Sequence, residues 1–204
     1  MDEIVIRAMQ KWPNVPNVFG WLKLDRRGNW LVKARVATAV APVFERITNT
    51  AVIDFIGRNY AADDKGRWFF QNGPQRVFVA LEYTPLVYRL RADGKSLEAQ
   101  TGAVPTEPKR AWVDDGGMLV IETELGTGVV LDRDLAKLLE RIQVTDGAPA
   151  ADEDIESLGA GGTPGLSIAI GRKRVPLGSI AAAEVPARFG FNPAPAPAPG
   201  EPEC

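Results

Sequence analysis

Seven residues with binding chemistry lie close together in the sequence, at the end of a predicted helix and in the hairpin that follows it. They are Arg58, Asn59, Tyr60, Trp68, Asn72, Gln75 and Arg76. Arginine offers forked donors to phosphate or carboxylate groups, amides donate and accept hydrogen bonds, and aromatic rings stack on planar groups. The set predicts a site for a small anionic, nucleotide-like ligand.

A structural interpretation of the two arginines stays open. Arg58 and Arg76 could serve only to neutralise surface carboxylates, since such pairs are common and weak. The carboxylates nearest to them in the sequence are Asp54, Asp63, Asp64 and Glu82. Under this interpretation the two guanidinium groups bind no ligand.

The hairpin is unusual because Pro74 follows Asn72 and Gly73. A tight turn centred on Asn-Gly requires the next residue to donate its backbone N–H, and proline has none. We therefore expect a wider loop, in which a side-chain amide of Asn72 or Gln75 satisfies the carbonyl near Gln71. A polar pocket at this loop is the other interpretation.

The composition excludes catalytic sites that use a histidine base. The 204 residues include no histidine and one cysteine, Cys204. Ser-His and Cys-His nucleophile pairs, an internal disulfide and the usual His- or Cys-bearing metal sites are therefore ruled out. Ser167 lies in a pattern that loosely resembles a nucleophile elbow, but it has no histidine base. We expect no catalytic residue, no metal and no cofactor.

Charge and hydropathy predict a cytoplasmic protein. The chain has 24 basic and 26 acidic residues, a formal net charge of −2, so no strong field would steer it to nucleic acid or to an anionic membrane. The start, Met1-Asp2-Glu3, lacks the basic region of a signal peptide, and no apolar run has the length of a membrane-spanning helix. We expect neither a nucleic-acid nor a membrane partner, whereas a protein partner and the oligomeric state stay open.

Repeated turns organise the chain. The sequence Asp-Arg-Arg-Gly-Asn-Trp at 25–30 recurs as Asp-Asp-Lys-Gly-Arg-Trp at 63–68, with looser copies at 93–94 and 114–117. Aspartate bonds its own backbone two residues on, and glycine takes the left-handed conformation that closes a hairpin. The turns bound short apolar segments and predict an α+β fold built mainly of antiparallel β meanders. The predicted strands are 18–24, 29–36, 67–71, 75–83, 86–92, 95–101, 110–114, 118–125 and 166–171.

Helical periodicity appears in two stretches and more weakly in a third. Asn49 is suited to cap a helix over 49–59, and leucines at helical spacing predict another over 132–143. The third candidate helix covers residues 3–11.

The order of these motifs resembles an uncharacterised proteobacterial family of domain-of-unknown-function proteins. The resemblance rests on the first Asp-Arg-Arg-Gly turn, the helix ITNTAVIDFIGRNY, the hairpin that follows it, and LVIETELGTGVVLD, over about residues 20–132. It implies a duplicated β-rich unit, a second half similar to pleckstrin-homology folds, and a ligand site between the halves. It implies no established activity. Where the family tends to show Thr-Pro-x-Glu, this chain has Gly73-Pro74-Gln75-Arg76, which replaces an acid with an amide and removes the implied charge pairing.

The predicted organisation has three parts. Residues 1–83 form the first β-rich unit with helix 49–59, residues 84–191 form the second with helix 132–143, and residues 192–204 form a disordered Pro/Ala-rich tail in which Cys204 is exposed. The glycine-rich stretch 159–165 lacks the Gly-Lys-Ser of a P-loop and is interpreted as a mobile connector.

Three functional classes follow. The first is a non-catalytic ligand-sensing or signalling module that binds the anionic ligand between its halves. The second is a protein-interaction or scaffold domain, for which an exposed apolar patch would be the evidence. The third is an enzyme that uses carboxylates such as Glu122 and Glu124, which lie at strand spacing on one face. We expect the first.

Overall fold

A computed structural model describes residues 1–34, 42–159 and 165–201. The chain divides into two compact units: the first combines Met1–Pro85 with the segment from Gly190 onward, and the second is Leu86–Phe189. Cys204 and most of the glycine-rich stretch lie outside the described residues. The two β-rich units agree with the duplicated α+β fold predicted from the sequence.

The described residues of the first unit form one mixed six-stranded sheet and two helices. Its strand order is β3-β2-β1-β6-β5-β4, in which β1 and β6 are parallel and the other pairs are antiparallel. The elements are α1 (Glu3–Lys11), β1 (Val18–Leu24), β2 (Trp30–Lys33), β3 (Phe44–Arg46), α2 (Thr50–Arg58), β4 (Tyr60–Ala62), β5 (Trp68–Asn72) and β6 (Gln75–Leu81).

In the second unit, the part of the chain that the structure describes forms an eight-stranded sheet, three α-helices and one 3₁₀ turn at Ala182–Glu184. Its strand order is β12-β13-β14-β9-β10-β11-β7-β8. The elements are β7 (Leu86–Leu90), β8 (Leu97–Ala99), β9 (Pro108–Asp114), β10 (Leu119–Thr123), β11 (Gly126–Val130), α3 (Asp132–Leu139), β12 (Ile142–Gln143), α4 (Asp152–Gly159), β13 (Ser167–Ile170), β14 (Lys173–Ile180) and α5 (Val185–Phe189).

The Asp-x-x-Gly turns form as their chemistry predicts. Oδ1 of Asp25 accepts from the backbone N–H groups two and four residues on, and so does Oδ1 of Asp63. The fourth residue of each turn, Gly28 or Gly66, has a positive φ of 77° or 71°, which glycine adopts without steric cost. Asp114 repeats the same hydrogen bonds in the second unit.

Several elements differ from the sequence prediction. Parallel pairings occur between β7 and β11 and between β9 and β14, whereas the short turns predicted antiparallel neighbours. Helix α3 ends at Leu139 instead of 143, because Ile142 pairs with Ile168 in the sheet. The acidic run before the glycine-rich stretch forms α4, which was not predicted.

Aromatic side chains pack on both faces of the sheet of the first unit. On one face, Phe55 of α2 meets Phe70 edge to face, with ring centroids 5.4 Å apart. On the other face, Phe19 stacks on Phe78 at 4.6 Å, and Phe69 lies against the same ring. Phe78 and Val79 are both fully buried, so both faces of β6 are buried at these two positions.

The C-terminal segment also contacts the strands and turns of the first unit. We call residues 190–201 the C-terminal strap. The backbone N–H of Asn192 donates to the Gly66 carbonyl at 2.9 Å, and the N–H of Leu81 donates to the Pro193 carbonyl at 2.8 Å. The sequence predicted a disordered tail from Asn192, but residues 192–201 are held by hydrogen bonds to residues far away in the sequence.

Candidate functional site

A cleft of ≈ 530 Å³ opens in the first unit beside the β5–β6 hairpin. One wall comes from α1 and from residues 12–17, which join α1 to β1 and which we call the lead-in segment. The cleft residues are Met9, Trp12, Pro13, Asn14, Val15, Asn17, Gln71, Pro74 and Arg76. Its volume lies within the range of natural small-molecule pockets, roughly 300–1,000 Å³.

The hairpin beside the cleft is tight, in contrast to the wide loop predicted from the sequence. Asn72 pairs with Gln75, so the two central residues are Gly73 and Pro74. Gly73 has a φ of 58°, the positive value that a two-residue type II′ turn requires at its first central position. Pro74 takes the second position, where no ladder hydrogen bond needs its N–H. The amide contact expected from Asn72 or Gln75 to the carbonyl near Gln71 is not the one observed: Gln71 itself donates from Nε2 to the Gly73 carbonyl at 2.9 Å, and Gln75 donates to the Pro16 carbonyl.

The same hydrogen bond fixes which end of the Gln71 amide is free. Because Nε2 is bound to the Gly73 carbonyl, Oε1 is the other end of the amide; the flipped amide would set two acceptors against each other. The Gln71 residue is only 1% exposed, and Oε1 has no hydrogen-bond partner among the described residues. Gln71 therefore contributes a buried, unsatisfied acceptor to the lining of the cleft.

Arg76 brings a positive charge to the same place. It is the cross-strand neighbour of Gln71, so both side chains project from one face of the sheet. Its guanidinium carbon lies 4.6 Å from the centre of the Phe69 ring, and among the described residues no carboxylate lies within ion-pair distance of it. An acceptor and a cation are therefore adjacent in the cleft.

One known protein family matches most of this chain. Residues 1–196 match the model of the DUF2944 family, which is described as "Protein of unknown function (DUF2946)". The chain belongs to the DUF2944 family. This confirms the resemblance to an uncharacterised family that the sequence motifs indicated. No curated protein matches the DUF2944 chain.

Two solved structures are similar to the DUF2944 chain. One is the crystal structure of a DUF1285 family protein from Silicibacter pomeroyi DSS-3, with 13% identity, a TM-score of 0.52, and coverage of 88% of this chain and 97% of that one. The other is a DUF1285 family protein from Shewanella baltica OS155, with 13% identity, a TM-score of 0.37, and coverage of 55% and 84%. At this identity the first likeness indicates a shared fold and nothing about activity.

Of the seven residues predicted from the sequence, Arg76 is the one that lines the cleft. Arg58 instead forms an ion pair with Asp2, with Nε 3.2 Å from Oδ1. Asn59 is 1% exposed, accepts from the Asp2 backbone N–H and donates to the Phe55 carbonyl. Hydrogen bonds from Arg58 and Asn59 lower the pKa of the Asp2 carboxyl. These two residues therefore attach the start of α1 to the end of α2.

The predicted aromatic pair forms on the other face of the sheet. Tyr60 and Trp68 lie 4.8 Å apart, and the Tyr60 hydroxyl donates to the Pro85 carbonyl at 3.1 Å. Burial raises the pKa of that hydroxyl well above its usual value. Because Tyr60 is the cross-strand neighbour of Phe70, the pair shares the α2 side of the sheet, whereas Arg76 faces the cleft side.

The last two predicted residues lie at the closing pair of the hairpin. Asn72 is exposed at the end of β5. Gln75 donates from Nε2 to the Pro16 carbonyl at 3.1 Å, and so attaches the lead-in segment to the hairpin. The structure therefore distributes the seven residues among the α1–α2 junction, the aromatic pair, the hairpin and the cleft.

Sequence reasoning missed four residues of the cleft that have polar or stacking chemistry: Trp12, Asn14, Asn17 and Gln71. One signal was present in the sequence. Gln71 shares the strand face of Phe69, so it is a polar residue at a position where alternation predicts an apolar one. Such a residue is buried with its hydrogen-bonding groups and is a marker of a structural or binding role.

The described residues also limit the chemistry of the DUF2944 chain. They contain no cluster of three acidic, histidine or cysteine side chains placed to hold a metal ion. None of their helices combines the length and the apolar character needed to cross a bilayer.

Proposed function

We propose that the DUF2944 chain is a non-catalytic, cytoplasmic ligand-sensing module whose first unit binds a small anionic ligand in the cleft beside the β5–β6 hairpin. The observation that carries the proposal is Oε1 of Gln71, a buried acceptor that has no partner among the described residues, next to the guanidinium of Arg76, which forms no ion pair with them. A ligand that satisfies both has an N–H or O–H donor a short distance from a phosphate or carboxylate.

The acceptor gives the ligand a specific source of affinity. A buried polar atom without a hydrogen bond costs the folded protein about 1–3 kcal/mol. A ligand donor that reaches Oε1 recovers that cost, and the main-chain bond from Nε2 to Gly73 holds the amide in the required orientation before binding. A ligand without a donor leaves the cost in place.

The remaining cleft groups favour a ligand with a planar part. Arg76 presents forked donors to an oxyanion, and Trp12, which is 51% exposed, offers a ring face for stacking. A nucleoside monophosphate combines an anion, ring N–H donors and a planar base. It is therefore the ligand class that we test.

The lining of the cleft supports binding without catalysis. Among the described residues around it, Arg76 is the only ionisable one, and the others are apolar or carry neutral amides. A guanidinium stays protonated at all physiological pH values, so it cannot act as a general acid or base there.

The test uses adenosine 5′-monophosphate as the probe, with adenosine and inorganic phosphate as partial ligands. We expect the monophosphate to raise the melting temperature of the protein, because a ligand that binds only the folded state stabilises it. Each partial ligand should raise it less. Isothermal titration then gives the dissociation constants.

Two variants and one matched control identify the site. Gln71→Met removes the acceptor while keeping the volume, and Arg76→Met removes the charge. Each should weaken monophosphate binding by about tenfold or more, the effect of losing one hydrogen bond to a charged or buried group. Arg26→Met is the control, because Arg26 also lies over a ring, that of Tyr83 at 4.9 Å, but does not line the cleft. Unchanged affinity in both cleft variants, or no binding to the parent, would refute the proposal.

A further inference from the structure

The strap is fixed to the first unit by a buried ion pair. Arg67 is 8% exposed, and its Nε lies 2.8 Å from Oδ2 of Asp63. Its two terminal nitrogens donate to the two carboxylate oxygens of Glu201 at 2.8 and 3.3 Å. The guanidinium carbon also lies 4.4 Å from the centre of the Phe78 ring. The forked geometry and the burial make this a specific contact and not a loose surface pair.

Glu201 reaches the wall of the cleft as well. Its Oε1 accepts from Nδ2 of Asn17 at 2.8 Å, and Asn17 is the cleft residue at the C-terminal end of the lead-in segment. The same carboxylate accepts from the backbone N–H of Ala198 through Oε2 at 2.9 Å. Glu201 therefore joins Arg67 of the β4–β5 turn, the strap and the cleft wall.

Side-chain hydrogen bonds attach the lead-in segment to other parts of the first unit. Pro13 and Pro16 have no N–H to donate, and no lead-in residue belongs to a named helix or strand. Its side-chain hydrogen bonds include the one from Gln75 to the Pro16 carbonyl and the one between Asn17 and Glu201. Loss of the hydrogen bond between Asn17 and Glu201 leaves the lead-in segment attached to the hairpin through Gln75.

From these contacts we propose that the C-terminal strap regulates the cleft: docking of Glu201 on Arg67 and Asn17 sets the position of the lead-in wall, and release of the strap loosens it. The proposal rests on the proposed function for its effect on a ligand, but the position of the wall is measurable without one. Asn17 and Glu201 are positioning residues in this scheme, since Glu201 acts on the cleft through Asn17.

The charge of the Glu201 carboxylate does not change near neutral pH. Hydrogen bonds from Arg67 and from the Ala198 N–H lower the pKa of Glu201 to about 2. Glu201 thus stays ionised at neutral pH, and the strap is released by competition for Arg67 or by added salt rather than by protonation.

Backbone amide hydrogen exchange, followed by mass spectrometry on the full chain, tests the proposal directly. Glu201→Gln removes the charge but keeps the shape, and Glu201→Ala removes both. Glu82→Gln is the matched control, because Glu82 also accepts from a lysine and a backbone N–H in the first unit but does not contact the lead-in segment. In both Glu201 variants we expect amides of residues 14–18 to exchange about tenfold faster, with no such change in the control.

The outcomes separate this proposal from the proposed function. Faster exchange in the strap with unchanged exchange at residues 14–18 would overturn the regulation, because the wall would then be independent of Glu201. Faster exchange at both supports it, and weaker binding of adenosine 5′-monophosphate by Glu201→Gln supports the coupling to the cleft. If the parent does not bind the monophosphate, the proposed function fails while the exchange data still decide whether the strap positions the wall.

Discussion

Replacing Gly66 with alanine tests how firmly the strap is bound. Gly66 has a φ of 71°, and a Cβ atom added there would lie 3.0 Å from the carbonyl carbon of Gly190 and closer still to its oxygen. These are backbone atoms, so the clash cannot be relieved by a change of rotamer. The strap must move away at its first residue.

Gly20 offers a matched control for the backbone strain. It belongs to the same unit, has the same φ of 71°, and a Cβ atom there would have no heavy atom within 4 Å. Alanine at either position adopts the left-handed conformation, which costs about 1–2 kcal/mol. The difference between the two variants is therefore the contribution of the strap alone.

The expected difference follows from the bonds that displacement of the strap breaks. Leu81 loses the carbonyl of Pro193 and is 7% exposed, and an unsatisfied buried donor costs about 1–3 kcal/mol. Arg67 loses Glu201 but keeps Asp63, so a smaller cost follows there. We expect Gly66→Ala to lower the free energy of unfolding by about 2–4 kcal/mol more than Gly20→Ala does.

Urea unfolding followed by tryptophan fluorescence is the measurement. The first unit contains Trp12, Trp21, Trp30 and Trp68, four of the five tryptophans in the chain, so the signal reports mainly on this unit. Equal destabilisation by Gly66→Ala and Gly20→Ala would refute the reasoning, because the strap would then contribute nothing to the stability of the folded state.

Three further predictions concern single side chains. Asn49→Ala should cost about 1 kcal/mol in urea unfolding, since Asn49 Oδ1 caps α2 by accepting from the Val52 N–H; no change would contradict the cap. Tyr88→Phe should cost about 1–2 kcal/mol, because its buried hydroxyl contacts Thr123 Oγ1 at 2.7 Å and donates to the Gly126 carbonyl; unchanged stability would contradict the contribution of these hydrogen bonds. In acid titrations, Glu201 contributes stability above its usual pKa of 4.5 that is lost as the pH falls toward its folded pKa of about 2. Glu201→Gln should therefore lose less stability than the parent over that range, and parallel curves would be the contrary result.

Local chemistry made much of the fold predictable. The α2 helix, observed as Thr50–Arg58, begins after the predicted cap and ends one residue before the predicted end. The α1 helix, observed as Glu3–Lys11, has the predicted bounds. The Asp-x-x-Gly turns are determined by an aspartate and a glycine four residues apart at most, so their signal is contained in the sequence itself. Elements of this kind need no distant partner to be recognised.

The features that form the cleft depend on distant partners. Asn72-Gly73 was interpreted as the centre of the turn, but Gly73-Pro74 occupies it, because a positive φ at Gly followed by the fixed φ of Pro also matches a two-residue hairpin. That shift by one residue makes Gln71 the residue that binds the turn carbonyl. Arg76, the cross-strand neighbour of Gln71, was predicted as a site residue. The contacts of Arg76 with Phe69 and with the cleft were not predicted.

The strap was mispredicted for a related reason. Prolines and alanines bury little surface, so composition indicates a disordered segment. Order in this segment comes from Gly66, Leu81 and Arg67, more than a hundred residues away. No local pattern in the last residues contains information about those partners.

The division of the chain has a consequence for its synthesis. The second unit is one uninterrupted stretch, whereas the first is completed by residues that follow the second in the sequence. Arg67 and Asn17 are therefore synthesised long before Glu201. The sequence of the second unit is complete before residues 190–201 of the first unit are added. The first unit is thus completed only after the whole second unit has been synthesised, and a chain cut after Phe189 lacks the residues that complete its first unit.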